Sequence, residues 1–343
     1  MNYNKRRRLL FLTFFNIFLL AILIACTGLI NRCDMTAVID RFRGNDNAAR
    51  DQIENDVQAE NKQNSTTHDN APEKPETDKQ DNPQQTGTEK EQVQGSSGED
   101  AGSKYSLLPY YKPENASRYE KYGLENPDFD EKRVVADVNI GLDYPFYGLI
   151  KEIRNYNDIT VLVNKYNKLP DNYEPELEKL EERYCAPGRG AQYLRKEAAD
   201  AFRRMHEDAK KEGLNITAFG TYRSIPTQQK IWENAINSGR IQEDVDSLNS
   251  RGGHSEHHTG LAVDVVINDY SVLDTEEYQW YKDRAHEYGF IIRYPEGKEN
   301  ITGYKYEPWH LRYVGPEIAK GVYESGLTYE EYYVTVIEPN MQN

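Results

Sequence analysis

Cysteine is scarce. The 343 residues contain three, Cys26, Cys33 and Cys185, and only Cys185 lies in the part that reads as folded. A structural disulfide there has no local partner, and a zinc site of the CxxC type is excluded by count. Internal repeats are absent. So is a basic stripe suited to nucleic acid: acidic residues outnumber basic ones 57 to 42, a formal net charge of −15. The length exceeds one average domain and allows one large domain with accessory segments.

What is present falls into regions. Residues 1–30 begin with Lys5, Arg6, Arg7 and Arg8, and an apolar run over 9–25 follows, interrupted mainly by Asn16 and weakening to residue 30. This is the layout of an export signal, with the basic residues favouring an inside N terminus. Two fates stay open. A run of this length can remain as a membrane anchor. Alternatively, Leu23-Ile24-Ala25-Cys26 resembles a bacterial lipobox, in which Cys26 becomes the lipidated first residue. Either fate leaves the rest of the chain outside the cytoplasm, attached to the cell membrane through its N terminus.

Residues 31–103 read as a disordered linker. Its strongly biased part, 45–103, holds no aromatic residue and carries 14 acidic against 5 basic side chains, a net of −9. Such a stretch cannot bury enough apolar surface to offset its ordering entropy. As a flexible coil it would reach roughly 40 Å. Most of the chain's negative charge therefore belongs to a tether and says little about partners.

From Tyr105 onward, tyrosines and regularly spaced apolar residues return. Residues 104–168 form a lead-in segment, in which 133–138 and 160–163 have strand character. The main domain, 169–335, starts at the Leu169-Pro170 break. A helix is expected over 191–212, with Leu194, Ala198, Phe202, Met205 and Ala209 as one apolar stripe and Gly213 as its stop. There follow a strand over 214–219, a helix from Pro226 to Gly239, and a short buried strand over 261–266. A helix over 275–288 closed by Gly289 and strands over 290–293 and 309–313 complete the set. Helices first, then clustered strands, indicate an α+β fold rather than alternating α/β.

Three of the seven histidines fall within Arg251-Gly252-Gly253-His254-Ser255-Glu256-His257-His258. The distinguishing residue lies just beyond them: Asp264, inside an apolar strand. A carboxylate there is costly unless paired or bound to a metal. His257 lies seven residues earlier, across a glycine-containing bend, and the two side chains can meet. Imidazole nitrogen and carboxylate oxygen suit zinc, which needs a third ligand and leaves a position for water. His310, in Tyr306-Glu307-Pro308-Trp309-His310, is the best candidate. Glu307, three residues earlier across a stiffening proline, can act as the base of a zinc-assisted hydrolysis, taking a proton from water and returning it to a leaving amine.

Ser255-x-His257-x-x-Gly260-x-Ala262-x-Asp264, followed by Glu307-Pro308-Trp309-His310, resembles the two-part signature of the VanY-type D-alanyl-D-alanine carboxypeptidases. These belong with the lysostaphin, D-Ala-D-Ala metallopeptidase and hedgehog-like zinc folds. The resemblance spans residues 110–330, since Leu162-Val163-Asn164-Lys165, Leu169-Pro170 and Tyr173-x-Pro175 are similar to the family's lead-in. It implies a small antiparallel sheet flanked by helices, with the zinc site on the sheet. It also implies that His257, Asp264 and His310 bind Zn2+ and that Glu307 is the catalytic base.

By the same resemblance, Tyr222-Arg223-Ser224, which follow Thr221 after a strand, and Gln228 line the substrate pocket. Arg223 would grip a terminal carboxylate or stabilise the oxyanion, because its planar fork pairs bidentately. The alternative for Arg223 is a structural salt bridge. Ser255 is a second candidate contact, with turn hydrogen bonding as its alternative. His254 and His258 suit an exposed loop or a place behind the ligands, and Glu256 either lies behind them or is solvated. His206 and His286 sit on helices without a carboxylate in register. Trp309 and the tyrosines of 304–313 pack the site wall.

The implied function is zinc-dependent removal of the terminal D-alanine from peptidoglycan stem peptides. Two alternatives stand beside it. An L,D-carboxypeptidase would trim tetrapeptide stems with the same chemistry. A non-catalytic cell-wall-binding module would keep the fold without turnover, and Glu307 beside three ligands argues against it.

Overall fold

The structure, a computed structural model, describes residues 104–341. The basic and apolar segment 1–30 with Cys26, and the acidic linker 31–103, lie outside the described residues. Among the described residues, no helix is long and apolar enough to cross a membrane.

The described chain opens with a helical hairpin, α1 (Ala116–Glu125) and α2 (Glu131–Ile140). The strand expected over 133–138 is therefore a helix. Two local signals outweigh its valines. Asp130 caps the N terminus by accepting the Arg133 backbone N–H at 2.8 Å. Gly141 ends α2 in the left-handed region, φ 109°, which other residues adopt only with strain. Val134, Val135 and Val138 then pack with Tyr105 and Tyr119.

The strand expected over 160–163 is likewise absent; the stretch is buried but irregular. Side chains satisfy its carbonyls. Arg312 Nη2 donates to Ile159 and Val161 at 3.1 and 2.7 Å, and the Tyr329 hydroxyl donates to Thr160 at 2.7 Å. Backbone groups met this way need no ladder. Two-residue ladders surround it: β1 (Lys151–Glu152) runs parallel to β2 (Asn167–Lys168), and β3 (Glu178–Lys179) antiparallel to β4 (Tyr193–Leu194).

Helix α3 (Lys196–Lys211) buries the expected stripe of Ala198, Phe202, Met205 and Ala209, while Leu194 sits on β4 ahead of it. Lys210 and Lys211 close α3, complementing its dipole. After β5 (Ala218–Gly220), the Ser224 hydroxyl and Pro226 open α4 (Ile225–Asn237). Then come α5 (Gln242–Asp246), β6 (Ala262–Val265), and α6 (Glu276–Arg284) with its Thr275 cap. The chain ends with β7 (Phe290–Ile292), α7 (Glu299–Thr302), β8 (His310–Tyr313), α8 (Pro316–Ser325) and α9 (Tyr329–Tyr332), beyond which helical turns continue to Met341.

The four longer strands form one antiparallel sheet in the order β5-β6-β8-β7. Strand periodicity sorts its two faces. Val263, Val265, Leu311, Tyr313, Phe290 and Ile292 pack into the main core with Phe202 and Met205 of α3 and Tyr281 of α6. The alternate positions on the central strands β6 and β8 include Asp264, His310 and Arg312, and Arg293 directly follows β7. Every residue of β6 and β8 is buried. The opposite face is thus closed to water yet carries charge, which requires partners for each group.

Candidate metal centre

Asp264 and His310 are register partners across the β6–β8 ladder. His310 Nδ1 lies 3.0 Å from Asp264 Oδ1. His257 arrives from a 3-10 turn, Glu256–Thr259, that leads into β6. That turn closes on Gly260, φ 66°, where a Cβ would meet Leu177 Cδ2 at 2.7 Å and the Arg195 backbone nitrogen at 3.1 Å. Only glycine fits, and it brings His257 Nε2 to 3.5 Å from Asp264 Oδ2. The other nitrogen of His257 is 2.7 Å from the Thr221 carbonyl. Nδ1 therefore carries the proton and donates it, leaving the Nε2 lone pair for a metal. The two imidazoles stand edge to face, centroids 4.9 Å apart at 84°. Ligand atoms from His257, Asp264 and His310 lie within 4.8 Å of one another.

The electrostatics fit a cation. Burial would raise the Asp264 carboxyl, but His257 and His310 outweigh it and hold it well below the usual carboxylate range. Burial lowers His257, with Asp264 acting the other way. For His310 burial also acts downward, yet Asp264 and Glu256 prevail and push it up to about 9. A buried carboxylate between two imidazoles calls for positive charge, which a proton supplies in the free protein and a divalent metal can supply in its place. Two imidazole nitrogens and one carboxylate oxygen are a donor set that suits zinc with an open position.

Glu307 stands at the same cluster, its Oε2 3.9 Å from His310 Nδ1. A backbone bond from His310 N–H to the Glu307 carbonyl, 3.2 Å, closes the turn between them. Arg223, just beyond β5, donates its backbone N–H to the His257 carbonyl at 3.2 Å and its Nη1 to Gln228 Oε1 at 2.6 Å. Gln228 is buried, and its Nε2 donates to the Ser250 carbonyl at 2.7 Å. Gln228, expected against substrate, braces Arg223 through its Oε1 while its Nε2 donates inward. The Ser224 hydroxyl is likewise taken by the α4 cap, where it meets Thr227. The Ser255 hydroxyl accepts the His257 N–H at 3.3 Å, a turn bond.

His254 and His258 are buried rather than on an exposed loop. His254 Nδ1 lies 2.8 Å from the Asn164 carbonyl, and His258 Nδ1 2.7 Å from the Arg223 carbonyl, so His258 ties the ligand loop to the arginine loop. His206 bonds the Ile216 carbonyl, His286 stacks on Tyr323, and Trp309 packs edge to face with Tyr270. Cys185 is a free thiol.

A second set of charges escaped the sequence reading. Glu256 is almost fully buried, its Oε1 2.8 Å from both Arg293 Nε and Arg312 Nη1. Arg293 also grips Glu330 with two bonds of 2.8 and 2.6 Å. The signal existed: Arg293 closes Phe290-Ile291-Ile292, and Arg312 stands between Leu311 and Tyr313, charges in apolar strands just as Asp264 is.

The sequence pattern of the VanY family, D-alanyl-D-alanine carboxypeptidase, matches residues 191–316, a span holding all three candidate ligands, Glu307 and Arg223. YodJ of Bacillus subtilis (strain 168) is 40% identical over 204 residues, 54% of this chain and 71% of YodJ. The chain belongs to the VanY family. VanXYC of Enterococcus gallinarum, a bifunctional D-Ala-D-Ala dipeptidase and D-Ala-D-Ala carboxypeptidase, is 32% identical over 183 residues, 50% of this chain and 92% of its own length. Among solved structures, the LdcB LD-carboxypeptidase is similar at a TM-score of 0.52 and 41% identity, covering 55% of this chain and 91% of LdcB. The VanY match stops before Glu330, so the far end of the buried charge set lies outside it.

Proposed function

We propose that this VanY-family chain is a zinc-dependent D-alanyl-D-alanine carboxypeptidase that removes the terminal D-alanine from peptidoglycan stem peptides. The observation that carries the reading is the convergence of His257, Asp264 and His310, with Glu307 beside His310. His257 through Nε2, Asp264, and His310 through Nδ1 would hold the zinc. When bound, zinc acts as a Lewis acid toward the scissile carbonyl and lowers the pKa of water toward ~7. Thr221 keeps the His257 proton away from the ligand nitrogen. Glu307 takes a proton from the attacking water as the new C–O bond forms and delivers it to the D-alanine nitrogen as the C–N bond breaks. Arg223, held by Gln228 and by the backbone bond to His257, meets the terminal carboxylate or the oxyanion already oriented. The N-terminal apolar segment, as an anchor or through lipidated Cys26, keeps the domain at the membrane, with the acidic linker as spacer.

The 41% identity to LdcB, an LD-carboxypeptidase, supports a second reading in which the same centre trims tetrapeptide stems. The two reactions share the leaving D-alanine and differ in the residue before the scissile bond.

The test compares full-length wild type with Glu307→Ala, both loaded with zinc, on a pentapeptide stem. Wild type is expected to release D-alanine and the variant to release almost none while keeping its zinc. Equal release by both would remove Glu307 as the base, and stem binding without release by wild type would instead support a cell-wall-binding module.

A further inference from the structure

We propose that Glu256 is a positioning residue for the metal centre: it holds the His310 proton on Nε2, so that Nδ1 faces the metal. This inference rests on the reading of His310 as a zinc ligand. The two imidazoles need opposite tautomers. His257 offers Nε2 and is fixed by a neutral acceptor, the Thr221 carbonyl. His310 offers Nδ1, which points at Asp264. Its Nε2 faces Glu256 Oε2 at 3.5 Å. Both atoms are buried, and neither has a hydrogen-bond partner among the described residues. Each is the one group placed to answer the other.

The rest of Glu256 explains why that oxygen is available and still. Its Oε1 is taken by Arg293 and Arg312 together. Neither arginine can swing away. Arg312 spends its other nitrogens on the Tyr313, Ile159 and Val161 carbonyls, and Arg293 spends its own on Glu330. Two guanidinium groups face two carboxylates, so the buried set is neutral as a whole and Glu256 keeps its charge. A carboxylate behind a ligating histidine sets the ring's tautomer and raises its basicity, and losing such a partner lowers metal affinity ten- to hundredfold. The outer anchor, Glu330, belongs to α9 beyond the VanY match. The C-terminal segment is thereby wired to a metal ligand two charges away.

Glu256→Gln is the direct test. The arginines would claim its amide oxygen and turn its NH2 toward His310 Nε2. That nitrogen would then have to accept, moving the proton to Nδ1, the ligand atom. Zinc affinity of the full chain, measured by chelator competition, is expected to fall about ten- to hundredfold. Glu330→Gln removes the same charge from the same set without touching His310. It is expected to cost clearly less zinc affinity than Glu256→Gln, since Glu330 reaches His310 only through Arg293 and Glu256. Wild-type affinity in Glu256→Gln, or an equal loss in Glu330→Gln, overturns the proposal. His310→Ala separates it from its premise. If His310→Ala keeps its zinc, His310 is no ligand and both readings fall. If it loses zinc while Glu256→Gln does not, only the role of Glu256 falls. Should Glu256→Gln not fold, 15N–1H spectra of the wild-type zinc form decide: a proton on His310 Nε2 is expected, and metal bound at Nε2 overturns the idea.

Discussion

Asp264 and His310 meet side chain to side chain at 3.0 Å because the β6–β8 ladder pairs their backbones. Two of the three candidate ligands are therefore set by sheet register rather than by loops, and only His257 depends on a turn. The consequences can be measured.

Asp264→Asn should leave the strands paired but remove the charge that balances the metal. Zinc should be lost on dialysis. Zinc at about a hundred times its dissociation constant stabilises the wild type by about 2.7 kcal/mol. Thermal melts should therefore shift with zinc for wild type and stay unmoved for the variant. A zinc-dependent shift in Asp264→Asn would contradict the ligand assignment.

Arg223→Ala should lower kcat/KM about a hundredfold or more, the scale of a lost charge-stabilising donor. Gln228→Ala should act in the same direction and more weakly, because Gln228 works through Arg223. The double variant should then be no worse than Arg223→Ala alone, a non-additive outcome for residues in one chain of contact. Additive losses would give Gln228 a role of its own.

Gly260→Ala puts a methyl group against Leu177 and Arg195 at a positive φ. Urea melts should show a loss of about 1–3 kcal/mol. Zinc affinity should fall too, since the same turn carries His257. An unchanged melt would mean that the turn is not constrained.

The sequence made the central strands and the long helices legible, because burial of β6 and β8 and the stripe of α3 leave unbroken or periodic apolar patterns. It misled at α2, where valines spoke for a strand and the deciding signals, Asp130 and Gly141, lay at the ends. It misled again at 160–163, whose carbonyls are satisfied by Arg312 and Tyr329 from some 150 and 170 residues away, separations no local pattern reports. The convergence of His257, Asp264 and His310 was legible because a carboxylate in an apolar strand, as Asp264 is, needs a charged or polar partner. Glu256 was left open because its partners lie 37 and 56 residues away. The bracing of Arg223 by Gln228 was not legible, because the Ser250 carbonyl that anchors the other end of the amide lies 22 residues away.

Acid should loosen the domain through His254. Burial pushes its pKa down to about 4, against the hydrogen bond to the Asn164 carbonyl. The unfolded chain takes up this proton near 6.5 and the native one only near 4. Stability is therefore full above 6.5 and is lost as pH falls between those values, by about 1.4 kcal/mol per unit and ~3 kcal/mol in all. His254→Gln can still donate to Asn164 and does not titrate. Urea midpoints of the zinc-free protein between pH 4 and 7 should fall less steeply in the variant, by the slope of one proton. Identical slopes would contradict the assignment.

The most direct measurement is product analysis of the zinc-loaded full chain on matched penta- and tetrapeptide stems. Free D-alanine and tetrapeptide from the pentapeptide, lost on chelation and restored by zinc, are the predicted result. D-alanine from the tetrapeptide alone, or release from the pentapeptide that survives removal of the metal, would contradict the account.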